Sequence, residues 1–277
     1  MRLLFKVLSF LPLLSLHCLG WWLGWFAFLL SPTYRERLQA NARQAGIERK
    51  AWLSSVGAAG KLVAELPRLW MGAPVPVVWA GETCIEEALR VGKGILFLTP
   101  HLGCFEITAQ AYAAKFGQHG SPITVLFRPP RQVWLKDLVE SSRDRPGLKT
   151  TPTTLAGVKH MVRALKAGEC VGLLPDQVPP EGLGEWVPFF GKPAYTMTLA
   201  VRLASQTGAV VLLAWGERLP WGRGYCVHVS AYPGKDMSDV PNALQELNLA
   251  MQALVVQAPH QYLWGYARYK KPRMAVL

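Results

Sequence analysis

Between Val7 and Leu30 the chain runs for 24 residues without a lysine, arginine, aspartate or glutamate, with Arg2 and Lys6 before the run and Arg35 and Arg37 after it. As a helix rising about 1.5 Å per residue it covers about 36 Å, enough for a hydrocarbon core roughly 30 Å thick. Trp21, Trp22 and Trp25 gather toward its C-terminal end, where indole rings suit the boundary between lipid and water. The run is longer than a secretory signal core and no A-x-A cleavage site follows, so residues 1–32 read as a transmembrane anchor. Pro12 is placed to kink that helix or divide it in two.

Residues 33–277 show no repeat, low-complexity tract or long linker and read as one domain. Apolar runs bounded by Gly or Pro predict strands at Gly94–Thr99, Ile123–Phe127, Cys170–Leu174, Val210–Trp215 and Tyr225–Val229. Helical patterns fall between them. Leu155, Val158, Val162 and Leu165 share one face, with Thr153 or Thr154 as N-cap and Gly168 as stop; further helices run from Thr196 to Thr207 and from near Pro241 to before Pro259. The alternation predicts an α/β fold with a largely parallel central sheet, whose strands' C-terminal ends face the site.

Thirty Lys+Arg against eighteen Asp+Glu leave a net charge of +12, which favours negatively charged partners such as phosphorylated lipids or an acidic carrier protein. Nucleic acid is not expected, because no recognition module is present. Five cysteines without a C-x-x-C pair predict neither a disulfide framework nor a zinc site, and place the domain on the cytoplasmic side. There is also no G-x-S-x-G elbow, no phosphate-binding loop, no H-E-x-x-H and no G-x-G-x-x-G.

Among six histidines His101 stands apart. It follows a buried strand and Pro100, at the strand's C-terminal lip, and Glu106 comes five residues later in the opening of a helix. On one continuous helix that separation turns the side chains about 140° apart, so His101 must remain in the loop to meet the carboxylate. Glu106 would then accept the Nδ1 proton and leave Nε2 as a general base. Cys104, between them, raises a Cys-His acyl-enzyme as an alternative.

In Thr99-Pro-His-Leu-Gly-Cys-Phe-Glu106 the chain resembles the lipid A late acyltransferases, within the wider H-x4-D/E glycerolipid acyltransferase group. The other matching pieces follow in family order: Ala64-Glu-Leu-Pro-Arg-Leu-Trp70, Leu126-Phe-Arg-Pro129, Arg143, Leu174-Pro-Asp-Gln177, Phe189-Phe-Gly191 and Pro259-His-Gln-Tyr-Leu-Trp264. The family's Asn-Trp before the acid is Cys104-Phe105 here, and Pro130-Arg131 replaces the Asn that commonly follows Arg-Pro.

The resemblance implies a single glycerolipid-acyltransferase-like domain with His101 and Glu106 as the catalytic pair. It also implies Arg143 as a functional arginine, with Arg128, Asp176 and Gln177 lining the substrate site. No metal or cofactor is required. The implied donor is an acyl-carrier-protein thioester and the implied acceptor a hydroxyl of a lipid A precursor at the bacterial inner membrane. A lysophospholipid acceptor, or a catalytically silent lipid-binding protein, are the rival expectations. Backbone N–H groups after His101, with Arg128 or Arg143, are expected to serve the oxyanion. Arg131, Lys136 and Arg145 read as surface charges. The tail from Tyr262 to Lys270 alternates aromatic and basic residues, as either a strip on the membrane plane or a buried edge.

Overall fold

The computed structural model describes residues 2–127, 145–234 and 236–274. Seven strands form the central sheet in the order β1-β9-β8-β2-β5-β3-β4. These are β1 (Val77–Ala80), β2 (Ile95–Leu98), β3 (Ile123–Phe127), β4 (Leu148–Pro152), β5 (Cys170–Leu173), β8 (Val210–Arg218) and β9 (Tyr225–Ala231). Every neighbouring pair is parallel except β8 with β9. Strands β6 (Gly184–Phe189) and β7 (Lys192–Met197) form a separate antiparallel hairpin.

A parallel sheet must be covered on both faces, which is why β2 reads as an unbroken apolar run and is buried at all four residues. Leu96, Leu98, Val171, Leu173 and Leu213 point to one side, and Ile95, Phe97, Cys170 and Leu212 to the other. The first set packs on α8 (Leu155–Lys166), α9 (Leu199–Thr207) and α10 (Val240–Gln257). The second meets α6 (Thr83–Val91) and α7 (Phe105–Lys115). Thr154 caps α8, its hydroxyl accepting from the Gly157 N–H at 3.3 Å.

The N-terminal run is divided where Pro12 lacks an N–H to donate. It forms α1 (Arg2–Ser9) and α2 (Leu13–Leu30), and α2 is long and apolar enough to cross a membrane. α2 does not stand free, however. Leu16, Gly20, Gly24 and Phe28 are buried along its length, while Trp22, Phe26, Leu29 and Leu30 are exposed. Its partner is α4 (Arg49–Ala64), reached through α3 (Pro32–Gln44). The two backbones touch: a Cβ on Gly60 would lie 1.9 Å from the Gly20 carbonyl oxygen, and one on Gly24 2.1 Å from that of Val56. Only glycine permits that approach.

Two expectations need correction, and of the two readings of the tail the buried one holds. The helix placed from Thr196 begins at Leu199, because Thr196 and Met197 complete β7. Arg145 is no solvated charge: it is half-buried and donates to the carbonyls of Leu69 and Trp70, the last residues but one of α5 (Leu66–Met71), with burial lowering its pKa. The aromatic-basic tail is not a membrane strip. Tyr262, Trp264 and Arg268 are buried, Arg268 donates to the Tyr195 carbonyl at 2.7 Å, and Asn41 donates to the Trp264 and Tyr266 carbonyls, both at 2.7 Å.

Candidate active site

β2 and β5 lie side by side, with Leu98 opposite Leu173. The Thr99 N–H extends the ladder to the Leu173 carbonyl at 3.0 Å. His101 and Asp176 each stand three positions beyond those paired residues, so strand register delivers them level at the C-terminal edge of the sheet. His101 Nδ1 lies 2.6 Å from Asp176 Oδ1, and the His101 backbone N–H donates to Oδ2 at 2.9 Å. One carboxylate thus fixes both the ring and the chain that carries it. The Tyr262 hydroxyl donates to Oδ2 as well, at 3.1 Å.

Asp176 is 2% exposed. Burial by itself raises its pKa, but the charge and hydrogen bonds of His101, with Arg268 beyond, outweigh it and hold the carboxyl below its ordinary value. An ionised carboxylate only accepts, so Nδ1 is the nitrogen that donates to it, and in the neutral ring the lone pair lies on Nε2. The Gln177 amide donates to Nε2 at 2.9 Å. This is the tautomer a general base requires.

Glu106 was expected at Nδ1; the structure gives that position to Asp176. The cause is register: the β2–β5 ladder aims Asp176 at the ring, whereas Glu106 sits in the first turn of α7, lining the same cavity as His101. Phe105, its predecessor, packs edge-on against the imidazole with centroids 4.8 Å apart. Arg128 and Arg143 lie outside the described residues. The structure therefore brings His101, Asp176 and Gln177 into direct contact and sets Glu106 in the shared wall.

The Gly103 and Cys104 N–H groups are taken, since they donate to the Gln261 and Gly216 carbonyls at 3.1 and 2.7 Å, which leaves the expected oxyanion role to the first turn of α7, from Phe105 onward. Gly103 has φ 59° and a Cβ there would sit 2.0 Å from the Gly216 oxygen, so glycine locks this loop onto β8. Cys104 is fully buried, and burial, with the Glu65 charge behind it, pushes its thiol well above the ordinary value. A thiol held in that form is no nucleophile. Tyr262 is the site residue that residue-by-residue reasoning missed; its only signal was its place in the Pro259-to-Trp264 motif.

Beside His101 a cavity of about 370 Å³ runs between the sheet and the helices α6 and α7. Its walls carry the polar His101, Glu106 and Gln177 together with the apolar Phe97, Ala109, Ala214 and Val229. A mainly apolar cavity that also holds a base suits a substrate with a long hydrocarbon chain and one reactive end.

Comparison with known proteins agrees: residues 56–271 match the family described as bacterial lipid A biosynthesis acyltransferase. The chain belongs to that family. It is 29% identical over 195 residues to the lipid A biosynthesis lauroyltransferase of Escherichia coli K12, covering 69% of this chain and 60% of that protein. With the lipid A biosynthesis palmitoleoyltransferase of the same organism it shares 25% over 189 residues, 67% of this chain and 59% of the relative. Lipid A biosynthesis acyltransferase 2 of Shigella flexneri is 22% identical over 190 residues, 68% and 59% respectively. The matched stretch therefore spans about three-fifths of each acyltransferase relative.

Proposed function

We propose that this chain transfers a fatty acyl group from an acyl-carrier-protein thioester to a hydroxyl of a lipid A precursor. The observation that carries the reading is the clamped His101, its Nδ1 on Asp176 and its Nε2 toward Gln177, in the wall of a largely apolar cavity. In the reaction the acceptor hydroxyl displaces the Gln177 amide from Nε2 and gives up its proton there as its oxygen attacks the thioester carbonyl. The tetrahedral intermediate collapses with cleavage of the C–S bond, and the departing thiolate takes the proton back from Nε2. General-base assistance of this kind supplies about 10²- to 10⁴-fold.

The released Gln177 amide is placed to donate to the developing oxyanion. Glu106 stands in the same cavity wall, where it is assigned to positioning the substrate. Arg128 and Arg143 are assigned to the acidic groups of donor or acceptor. The outward apolar side chains of α1 and α2, including Leu3, Val7, Trp22 and Phe26, rest in the inner membrane, with the sheet's catalytic edge on the cytoplasmic side.

Mass spectrometry of lipid A from cells with and without the gene tests the acceptor: the glycolipid is expected to lose one acyl group. A full acyl count with an altered phospholipid profile would assign the lysolipid acceptor instead. The cavity makes its own prediction. Ala109 lines it from α7, so Ala109→Phe is expected to shorten the preferred chain. Assayed over acyl thioesters of increasing length, the variant should lose its longest substrates first, and an unchanged profile would place the chain elsewhere.

A further inference from the structure

A second cavity, of about 510 Å³, shares no lining residue with the first. α2 supplies Leu14, Trp21 and Trp22, α4 supplies Lys61, and the turn after β8 supplies Trp221. Arg218 also lines it, its guanidinium already held by Glu65 at 2.7 and 2.9 Å. That pair cancels. Lys61 is the charge left over, half-buried, and among the described residues no carboxylate lies within salt-bridge distance of its ammonium group.

The rim is unusual in another respect. Trp221 is 81% exposed with φ 61°, a left-handed conformation that a bulky side chain adopts at a cost, and packing within the protein does not repay it. It lines the same cavity as Trp21 and Trp22 of α2, a helix whose exposed apolar residues also include Phe26 and Leu29. His260, whose pKa burial lowers, is a neutral hydrogen-bonding group in the same wall.

We infer that this cavity binds the phosphodiester headgroup of an anionic phospholipid, its phosphate on Lys61 and its acyl stems against Trp21, Trp22 and Trp221. One uncompensated positive charge matches the single negative charge of a diester, and indole rings suit the depth at which headgroup meets chain. The inference rests on the membrane reading above in supposing that α2 lies at a lipid surface.

The test uses the full chain in detergent with soluble dihexanoyl-phosphatidylglycerol, dihexanoyl-phosphatidylcholine and inorganic phosphate, binding being read by native mass spectrometry. One phosphatidylglycerol per chain is expected, with phosphatidylcholine about tenfold weaker, because its choline cation offsets the diester charge that Lys61 meets. Lys61→Gln should remove that preference, while Lys93→Gln, an exposed charge elsewhere, should keep it. Trp221→Ala should weaken the lipid without creating a new phosphate preference. Undiminished selectivity in Lys61→Gln overturns the proposal, and so does inorganic phosphate binding as tightly as the lipid, which would make this a plain anion site. Flotation of the protein with vesicles reads the membrane assignment separately: protein that fails to float yet retains the soluble lipid sinks that assignment and leaves this one standing.

Discussion

Asp176→Asn is expected to lower acyl transfer nearly as far as His101→Ala does, by about 10²- to 10⁴-fold. The reason is the orientation that the backbone would impose on the amide. Oδ2 receives both the His101 N–H and the Tyr262 hydroxyl, so the oxygen of an asparagine must occupy that place. Its NH₂ group then faces Nδ1, which has to accept rather than donate. The ring proton moves to Nε2, and the base is lost although nothing has changed size. The fall should appear in kcat with KM little altered, because the ring still fills its place. Glu106→Gln separates the two carboxylates: it should retain more activity than Asp176→Asn. Full activity in Asp176→Asn together with an inactive Glu106→Gln would return the orienting role to Glu106.

The contrast between those carboxylates shows what a sequence can and cannot reveal. His101 was legible because a strand buried on both faces reads as an unbroken apolar run, and Pro100 marks where it ends. Asp176 was legible only as a lining residue. Its contact with His101 depends on β5 lying next to β2, although β3 comes between them in the chain and lies outside them in the sheet. No local pattern encodes that order. The hairpin β6–β7 was hidden for a different reason: Pro188 and Pro193 argue against strands, yet they sit opposite each other, where neither is asked for an N–H. β4 was hidden by polarity, since its Lys149 and Thr150 are exposed. The apolar N-terminal run was plain in composition, but its burial against α4 turned on glycines whose role appears only when two backbones meet.

The same long-range logic governs the buried ion pair behind the site, where Arg218→Met is expected to cost about 3–5 kcal/mol of folding stability. Arg218 ends β8 and Glu65 links α4 to α5; both are buried, and three nitrogen-oxygen contacts of 2.7 to 3.1 Å join them. Tyr225 donates to the same carboxylate at 2.9 Å, and His17 reaches it from α2 at 3.2 Å. Removing the guanidinium leaves a carboxylate in the interior without its counter-charge. The double replacement Glu65→Leu with Arg218→Met should recover most of the loss, since no charge is then stranded. Acid supplies the second signature. Burial raises the Glu65 pKa, but Arg218 and then His17 overcome it and hold the carboxyl at about 2, below its ordinary 4.5. A depressed carboxyl contributes stability that is complete above the unfolded value and lost as pH falls through the folded one. The wild type should therefore weaken from about pH 4.5 toward 2, whereas Arg218→Met, whose carboxyl burial alone now raises, is already weak at neutral pH and is eased by protonation. Denaturant unfolding at pH 7, 4 and 3 should show the gap between them closing. A gap that stays constant with pH would mean that Glu65 is not the group held by Arg218, and that the N-terminal helices are fastened to the sheet by packing alone.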